Sequence, residues 1–330
     1  MPCIALLPRI DAELGGGPRT WSEVVIIKNV GPLVTADPLE GDIISNRGFN
    51  AYLFASGGGP SHFLKIRPAR HEDFRREAAI TTRLSAHPGA RGLVPKSTTF
   101  VAGPVRVLAG EFVEGTALDV LIRTPPSRPW PDLAAEVLEA ASSMWDAISD
   151  ATDHDTPRAA DPKSLLADLE LLETLGLDSA ASCALARRIT AVELSGRPQH
   201  GDFWPRNVLR VGDGWRVLDF ETCGEVDLPL YDVFHMVRGC AEAAPAGPPN
   251  WIERWAAAEA AGGPLVEAVH RSARGMTLPS IEAALTAYMV EFAARLHRRG
   301  VSRERTAGRI RELNALPTAL EHGTLRRLLG

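Results

Sequence analysis

The feature that most constrains this chain is the segment at residues 200–221, HGDFWPRNVLRVGDGWRVLDFE, which combines polar clusters with a predicted β-hairpin. Two short apolar runs, predicted as strands over residues 207–211 and 215–220, flank a Gly-Asp-Gly turn at residues 212–214, and this arrangement is typical of a hairpin. Because a hairpin folds back on itself, we expect Asn207 at its start and Asp219 near its end to lie at the same open end. Asp202 lies in the loop that leads into that end.

The oxygen-bearing side chains in this segment indicate a particular chemistry. Asn207 and Asp219 together suit a hard cation such as Mg²⁺, which takes few protein ligands and completes its octahedron with water and phosphate oxygens. A third carboxylate beside them, Asp202, can accept or orient a hydroxyl proton. Charge neutralisation, positioning and a polar contact on the nucleophile are what phosphoryl transfer requires. An isolated HGD tripeptide would indicate only a polar surface turn, but the combination with the later residues favours a functional site.

The segment resembles the catalytic segment of the aminoglycoside phosphotransferase and choline kinase family, a branch of the protein-kinase-like fold. That pattern is His-Gly-Asp, four further residues, Asn, and then a hairpin that ends in a hydrophobic-Asp-aromatic-acid run. The resemblance implies that Asp202 is the catalytic base or the residue that orients the hydroxyl group. It also implies that Asn207 and Asp219 are metal ligands, and that Glu221 stands where some members place a further acid near the metals.

The substrate side of the loop departs from the family. Residues 203–206 read FWPR, whereas the commoner family run has a His before the Pro and a Gly after it. We therefore treat Trp204 and Glu221 only as candidate substrate contacts. Asp227 is a third candidate, which either faces the substrate or braces the catalytic loop.

In the N-terminal part, a lysine lies inside an apolar strand. Such a lysine usually points to solvent from the open face of a sheet, but the resemblance implies that Lys65 holds the α- and β-phosphates of a nucleotide. A helical pattern follows the strand, and its Glu77 is the carboxylate that we expect to pair with Lys65. Two other acids of that stretch, Glu72 and Asp73, are rival partners.

Two further segments are candidate nucleotide contacts. Ser45 and Asn46 precede a loop where family members place a small polar stretch over the phosphates, although turn chemistry alone predicts a plain hairpin tip. The run AGEFVEG at residues 109–115 resembles the family's hinge, so the backbones of Glu111 and Val113 are expected to bind adenine. An ordinary strand-to-helix connection is the alternative.

Length and composition limit the classes of protein. A chain of 330 residues with 45% hydrophobic and 23% charged residues is an ordinary globular protein, long enough for two lobes. Its net charge of −5 argues against a nucleic-acid partner. No run reaches transmembrane length, the N-terminus lacks a basic leader region, and the four cysteines lack zinc spacing. We therefore expect a cytoplasmic protein without a membrane partner; its oligomeric state is not predicted.

These observations and the resemblance predict an α+β, bilobal protein-kinase-like fold. Residues 1–109 are expected to form a nucleotide-binding lobe with an antiparallel sheet and one helix, residues 110–115 a hinge, and residues 116–330 a larger, mainly helical catalytic and substrate-binding lobe. In the second lobe we expect Asp232 to brace the catalytic loop. His235 lies on an apolar helical stretch, so we interpret it as a satisfied core or edge histidine rather than a base.

The predicted activity is transfer of the γ-phosphate of ATP, with GTP as the other possible donor, to a hydroxyl group of a small molecule in the presence of Mg²⁺. The acceptor is open: an antibiotic such as an aminoglycoside is one candidate, and an amino alcohol or a sugar of metabolism is another. A protein kinase is disfavoured, because Glu221 replaces the Gly of its Asp-Phe-Gly motif and no Ala-Pro-Glu follows. A non-catalytic, pseudokinase-like nucleotide-binding module is the alternative from a different class, but such a module has no need of Asp202.

Overall fold

The structure, a computed structural model, describes residues 21–27, 49–55, 59–124, 128–153, 156–248, 250–260 and 262–321. The chain divides into two compact units. The first comprises Met1–Gly115 together with Val211–Glu221, and the second comprises Thr116–Arg210 and Thr222–Gly330. The second part of the predicted hairpin thus belongs to the N-terminal unit.

The first unit is built on a five-stranded antiparallel sheet in the order β1-β2-β3-β5-β4. Its strands are β1 Trp21–Ile27, β2 Phe49–Ala55, β3 Pro60–Pro68, β4 Ser97–Ala102 and β5 Val105–Glu111. Helix α1 runs from Glu72 to Ala86, between β3 and β4. Its C-cap residue, His87, immediately precedes a proline, which cannot continue the helix. Within the described residues, the first unit is thus the predicted antiparallel sheet with one helix.

The two faces of the sheet have different environments, as the strand period of two requires. Leu64 and Ile66 of β3 belong to a buried apolar cluster on one face. Lys65 lies on the other face, directly opposite Leu108 of β5. The helix packs on this second face, because its Phe74 forms a buried cluster with Leu108. Acidic residues of the helix can therefore reach the strand lysine.

The second unit is mainly helical. Its helices are α2 Leu118–Arg123, α3 Trp130–Ala151, α4 Pro162–Thr174, α5 Ser179–Thr190, α6 Tyr231–Ala243, α7 Trp251–Ala260, α8 Pro264–Ser272, α9 Leu278–Arg298 and α10 Arg303–Glu321. Short strands β6 Thr116–Ala117, β7 Arg158–Ala159 and β8 Ser195–Gly196 accompany them, and β6 pairs with β9, Val208–Val211. A sheet unit followed by a mainly helical unit confirms the predicted α+β, protein-kinase-like fold class.

Helix α6 lies at the centre of the second unit. Every residue of α6 except Glu242 is buried, and α6 packs against α3, α7 and α9. A helix that is buried on all sides can hold polar side chains only where those side chains find partners. The polar residues of α6 are therefore informative about what the helix supports.

The predicted hairpin is present but shorter than expected. Strand β9 leads through Gly212 and Asp213 into β10, Gly214–Val217, whereas the apolar pattern predicted a strand that continues to Phe220. The strand ends earlier because Asp219 has a positive φ of 65°, which no extended strand contains. Among the described helices, none is long and apolar enough to cross a membrane.

Candidate active site

Three charged side chains of the first unit meet at Lys65. Its Nζ lies 2.6 Å from Glu77 Oε1 and 2.8 Å from Asp219 Oδ1. Glu77 is 12 positions away in the sequence and Asp219 is 154 positions away. The rival Glu72 instead pairs with Arg75 on the exposed side of the helix. The arrangement places one ammonium group between two carboxylates.

The surroundings of this cluster shift the pKa of its members. Burial alone would lower the pKa of Lys65, but the negative charges of Glu77 and Asp219 and their hydrogen bonds raise it above its usual value. Burial raises the pKa of Glu77 above its usual value, and the nearby negative charges of Asp219 and Glu221 act in the same direction, although the charge of Lys65 and its hydrogen bond oppose this rise. Lys65 therefore remains a cation, and the net negative charge around it suits a cation as ligand.

The backbone holds Asp219 in an unusual conformation. Asp219 is one of the non-glycine residues with positive φ, a conformation that costs of order 1–3 kcal/mol and is concentrated at functional sites. The preceding strand, β10, is anchored in the first unit, where the Val217 N–H donates to the Leu93 carbonyl at 2.8 Å. The side chain of Asp219 is 41% exposed, so the carboxylate remains accessible to a ligand.

An aromatic patch lies near Lys65 in the first unit. Tyr52 of β2 is opposite Phe63 of β3, and their rings are 5.3 Å apart. The ring of Phe112, which directly follows β5, lies 5.6 Å from that of Tyr52. Phe63 and Lys65 are two residues apart on one strand and so share a face. A flat purine could bind against such a surface, and sequence reasoning missed the residues that form it.

The predicted hinge contacts lie at the end of β5. The Glu111 N–H donates to the Lys96 carbonyl at 2.9 Å, so Glu111 could offer a ligand only its carbonyl group. Val113 lies in the loop beyond β5, and in the described part of the chain its N–H has no hydrogen-bond partner. Ser45 and Asn46, the predicted phosphate-loop residues, lie outside the described residues.

In the second unit, Asp232 of α6 holds the start of the loop at residues 200–207, which the sequence analysis predicts to be catalytic. Its Oδ2 accepts from the His200 N–H at 2.7 Å and from Trp145 Nε1 at 2.9 Å, and its Oδ1 accepts from the Gly201 N–H at 2.9 Å. Asp232 is fully buried, so these donors satisfy a charge that would otherwise be costly to bury. The prediction that Asp232 braces the loop is confirmed.

Gly201 is required by two features of this loop. Its φ is +79°, which favours glycine. A Cβ at this position would also lie 2.8 Å from the Thr222 carbonyl oxygen, closer than any real contact. The glycine of the HGD tripeptide therefore permits the turn that brings Asp202 out of the core.

Asp202 and Asn207 are in direct contact. Asn207 Nδ2 donates to the Asp202 main-chain carbonyl and to Asp202 Oδ2, both at 2.9 Å. Because the Asn207 amide nitrogen donates both of these hydrogen bonds to Asp202, the Asn207 amide oxygen points away from Asp202. The structure thus joins Asp202 with Asn207 in the second unit, and Asp219 with Lys65 and Glu77 in the first.

His235 of α6 also contacts Asp202, which the sequence analysis missed. His235 Nε2 lies 3.4 Å from Asp202 Oδ1, at the long limit of a hydrogen bond. Burial alone would raise the pKa of Asp202, but the contact with His235 and the positive charge of nearby groups, including Arg206, lower that pKa to about 2. Asp202 is therefore ionised at neutral pH. The interpretation of His235 as a satisfied core histidine is right, but its partner is the predicted catalytic residue.

The unusual loop residues pack on α6. The Trp204 ring lies 4.9 Å from that of His235. A Cβ on Gly239 would lie 2.3 Å from Pro205 Cδ and 3.1 Å from Trp204 Cδ2. The absence of a Cβ at Gly239 therefore lets the loop approach α6 closely. A glycine inside a helical pattern is the sequence feature that could have predicted this contact.

Asp227 lines a pocket of about 620 Å³ in the second unit. The pocket combines carboxylates such as Glu225 and Glu291 with arginines such as Arg295 and Arg298. Its size is within the range of small-molecule sites. Glu221, the remaining substrate candidate, is exposed in the first unit.

The donor set is suitable for a hard cation. Within the described residues, no group of three or more His, Cys, Asp and Glu side chains forms a ready-made metal site. The second unit offers the Asn207 amide oxygen and the first unit the accessible Asp219 carboxylate, and each is an oxygen ligand of the kind that Mg²⁺ prefers.

Comparisons with known proteins point in one direction. The sequence profile of the phosphotransferase enzyme family (APH) matches residues 43–276, well over half of the chain. No curated protein sequence matches significantly.

Solved structures share the fold at low sequence identity. Macrolide 2'-phosphotransferase MphH from Brachybacterium faecium, as the apoenzyme, has a TM-score of 0.54 and 13% identity, over 94% of this chain and 97% of that one. A thermostable mutant of aminoglycoside phosphotransferase APH(4)-Ia, in ternary complex with AMP-PNP and hygromycin B, has a TM-score of 0.52 and 15% identity, over 96% and 98%. These likenesses concern the fold.

Proposed function

Since the chain belongs to the phosphotransferase enzyme family, we propose that it is an ATP-dependent O-phosphotransferase that moves the γ-phosphate to a hydroxyl group of a small molecule. The family supports a phosphotransferase, and two of its structural neighbours carry that activity in their names. The identities of the nucleotide, the metal ion and the acceptor are parts of our proposal.

The observation that carries the proposal is the Lys65 ammonium group between Glu77 and Asp219. A buried lysine held by a helix carboxylate is fixed in position at little further entropic cost. Asp219, in its left-handed conformation, presents an accessible carboxylate at the same point. A purely structural ion pair would need neither a second, accessible carboxylate nor a strained backbone.

The residues of the chain would share the work of transfer as follows. Lys65 binds the α- and β-phosphates of the nucleotide, and Glu77 keeps its ammonium group in place. The backbones of Glu111 and Val113 bind the purine edge, and Ser45 and Asn46 cover the phosphates.

Asp202 would bond the acceptor hydroxyl. A bond forms between that oxygen and the γ-phosphorus, and the bond from the γ-phosphorus to the β,γ-bridging oxygen breaks. The hydroxyl proton leaves through Asp202. Because the transition state is loose, positioning and electrostatic stabilisation matter more than strong base catalysis, so a carboxylate with a pKa of about 2 is adequate for orienting the hydroxyl group.

Asn207 and Asp219 would hold Mg²⁺. When bound, Mg²⁺ would neutralise charge on the transferring phosphoryl group. The donation from Asn207 to Asp202 would link the residue that contacts the acceptor to a metal ligand.

The acceptor is proposed to be polar. The pocket lined by Asp227 carries both carboxylates and arginines, which favours a ligand with several hydroxyl and charged groups. Antibiotics are suitable first candidates, because the neighbouring structures contain hygromycin B or are named for macrolides. Trp204 and Glu221 are the other proposed acceptor contacts.

The test is direct. Purified protein is incubated with Mg²⁺, with ATP or GTP, and with a panel of aminoglycosides, macrolides, amino alcohols and sugars. We expect ADP or GDP release that depends on one acceptor class, and a phosphorylated product detected by mass spectrometry. Tight nucleotide binding, with neither acceptor turnover nor slow hydrolysis by water, would support the non-catalytic module instead.

A further inference from the structure

The contacts of His235 suggest a role that neither the family resemblance nor the fold assigns. The side chain of His235 is only 2% exposed, and both ring nitrogens have a polar partner. Nε2 lies 3.4 Å from Asp202 Oδ1, and Nδ1 lies 3.2 Å from the Tyr288 hydroxyl oxygen. The histidine thus connects the core of the second unit to the carboxylate proposed to contact the acceptor.

Aromatic rings hold the imidazole in this orientation. Tyr231 stacks on it with ring centroids 5.7 Å apart and an interplanar angle of 14°. Trp204 and Phe292 contact it edge-on at 4.9 and 5.1 Å. A ring enclosed in this way cannot rotate freely, so its two nitrogens keep their directions.

The hydrogen-bond inventory decides the tautomer. An ionised Asp202 can only accept, so the proton of a neutral His235 ring belongs on Nε2. Nδ1 is then an acceptor, and the Tyr288 hydroxyl donates to it. Burial raises the pKa of Tyr288, although the nearby charge of Arg238 and a hydrogen bond from it act in the opposite direction, so Tyr288 keeps the hydrogen that this arrangement needs. Each donor in the series from Tyr288 through His235 to Asp202 thus faces an acceptor.

We propose that His235, which is held by Tyr288 at Nδ1 and donates from Nε2, is a positioning residue that holds the Asp202 carboxylate in the orientation that receives the acceptor hydroxyl. This inference rests on the proposed function. Asn207 holds Oδ2 of the same carboxylate at 2.9 Å, and Arg206 lies 3.8 Å from that oxygen, so His235 supplies the restraint on Oδ1. Asp202 remains 27% exposed, which leaves lone pairs for the hydroxyl group.

Two substitutions separate the nitrogens of the ring. The amide nitrogen of His235→Gln is near the place of Nε2 and can still donate to Asp202. His235→Asn reaches only the place of Nδ1 and loses that donation. We expect His235→Asn to lower kcat roughly ten- to a hundredfold, the range that a hydrogen bond to a charged group contributes. The KM for ATP should change less than about threefold, and His235→Gln should recover most of kcat. His297→Asn, on the exposed end of α9, is the control and should match the wild type.

A spectroscopic readout keeps this inference independent of the acceptor. In protein with ¹⁵N-labelled histidine, the resonances of His235 are identified by their loss in His235→Gln. We expect one pyrrole-type nitrogen, assigned to Nε2, whose shift changes in Asp202→Asn, and one pyridine-type nitrogen whose shift changes in Tyr288→Phe. The opposite tautomer, or a kcat of His235→Asn equal to that of the wild type, overturns the proposal. Absence of any transfer by the wild-type protein overturns the proposed function, whereas the tautomer still decides whether His235 donates to Asp202.

Discussion

The buried cluster at Lys65 makes a quantitative prediction, because its two carboxylates differ in burial. The side chains of Lys65 and Glu77 are 13% and 6% exposed, whereas that of Asp219 is 41% exposed. In Lys65→Met, Glu77 is left as an unpaired buried charge, which costs about 3–5 kcal/mol. The half-exposed contact with Asp219 adds at most about 1 kcal/mol. We therefore expect the first unit to lose about 3–5 kcal/mol of stability.

A second substitution should recover much of this loss. In Lys65→Met/Glu77→Met no charge remains buried, and apolar replacement of a buried pair is often close to neutral. The double variant should therefore be at least about 2 kcal/mol more stable than Lys65→Met, while both lose nucleotide binding. Glu72→Met is the matched control. Glu72 pairs with Arg75 at the same 2.6 Å on the same helix, but these side chains are 69% and 60% exposed, so the loss should be below about 1 kcal/mol.

The effect of pH has a definite sign. Without Lys65, burial keeps the pKa of Glu77 above its unfolded value, so the folded variant binds an extra proton. The stability deficit of Lys65→Met is therefore smallest below the unfolded pKa of about 4.3 and grows as pH rises through the higher folded value. The deficit should be larger at about pH 8 than at about pH 5. Urea unfolding measures the change in the free energy of unfolding of each variant. Hydrogen exchange of the amides in Pro60–Pro68 and Glu72–Ala86 shows whether that change lies in the first unit. A double variant no more stable than Lys65→Met would refute the reasoning.

Four further substitutions test the remaining parts of the site. Asp202→Ala should lower kcat at least about a hundredfold and leave the nucleotide Kd nearly unchanged by calorimetry; an undiminished rate would remove Asp202 from the mechanism. Asp219→Ala should abolish the Mg²⁺ dependence of nucleotide binding, and unchanged dependence in the same titration would contradict its assignment as a ligand. Asp232→Asn sets an amide N–H₂ against the donors of the catalytic loop and should cost about 1–3 kcal/mol, measured by urea unfolding against the wild type. Gly239→Ala gains about 1 kcal/mol of helix propensity but forces a Cβ against Pro205, so thermal unfolding should show net destabilisation and kcat should fall; a raised Tm would refute the close contact.

The sequence predicted most successfully where local periodicity sets the structure. The alternation in β3 and the helical pattern of α1, read together with the family resemblance, indicated Glu77 as the partner of Lys65 ahead of its rivals Glu72 and Asp73, and the two side chains are in contact. The spacing from Asp202 to Asn207 likewise lies within one loop, and these residues are in contact.

What escaped prediction depends on contacts between distant segments. His235 follows Asp202 by 33 positions, and a single histidine in an apolar helix is more often a core residue than a partner of a catalytic group. The contact of Gly239 with Pro205 was missed for the same reason. The strained backbone at Asp219 was also beyond sequence reasoning, since apolar alternation predicted a strand that continues through it. The proposed roles of all these residues remain predictions for the experiments above.

The membership of Val211–Glu221 in the first unit has a consequence for biosynthesis. Translation delivers residues 1–115 long before residue 219, so the nascent sheet must wait for about a hundred more residues before Lys65 meets its second carboxylate. A fragment that stops at Gly115 would lack β10 and Asp219 altogether. The first unit therefore cannot be completed until Thr116–Arg210, which belong to the second unit, have been synthesised.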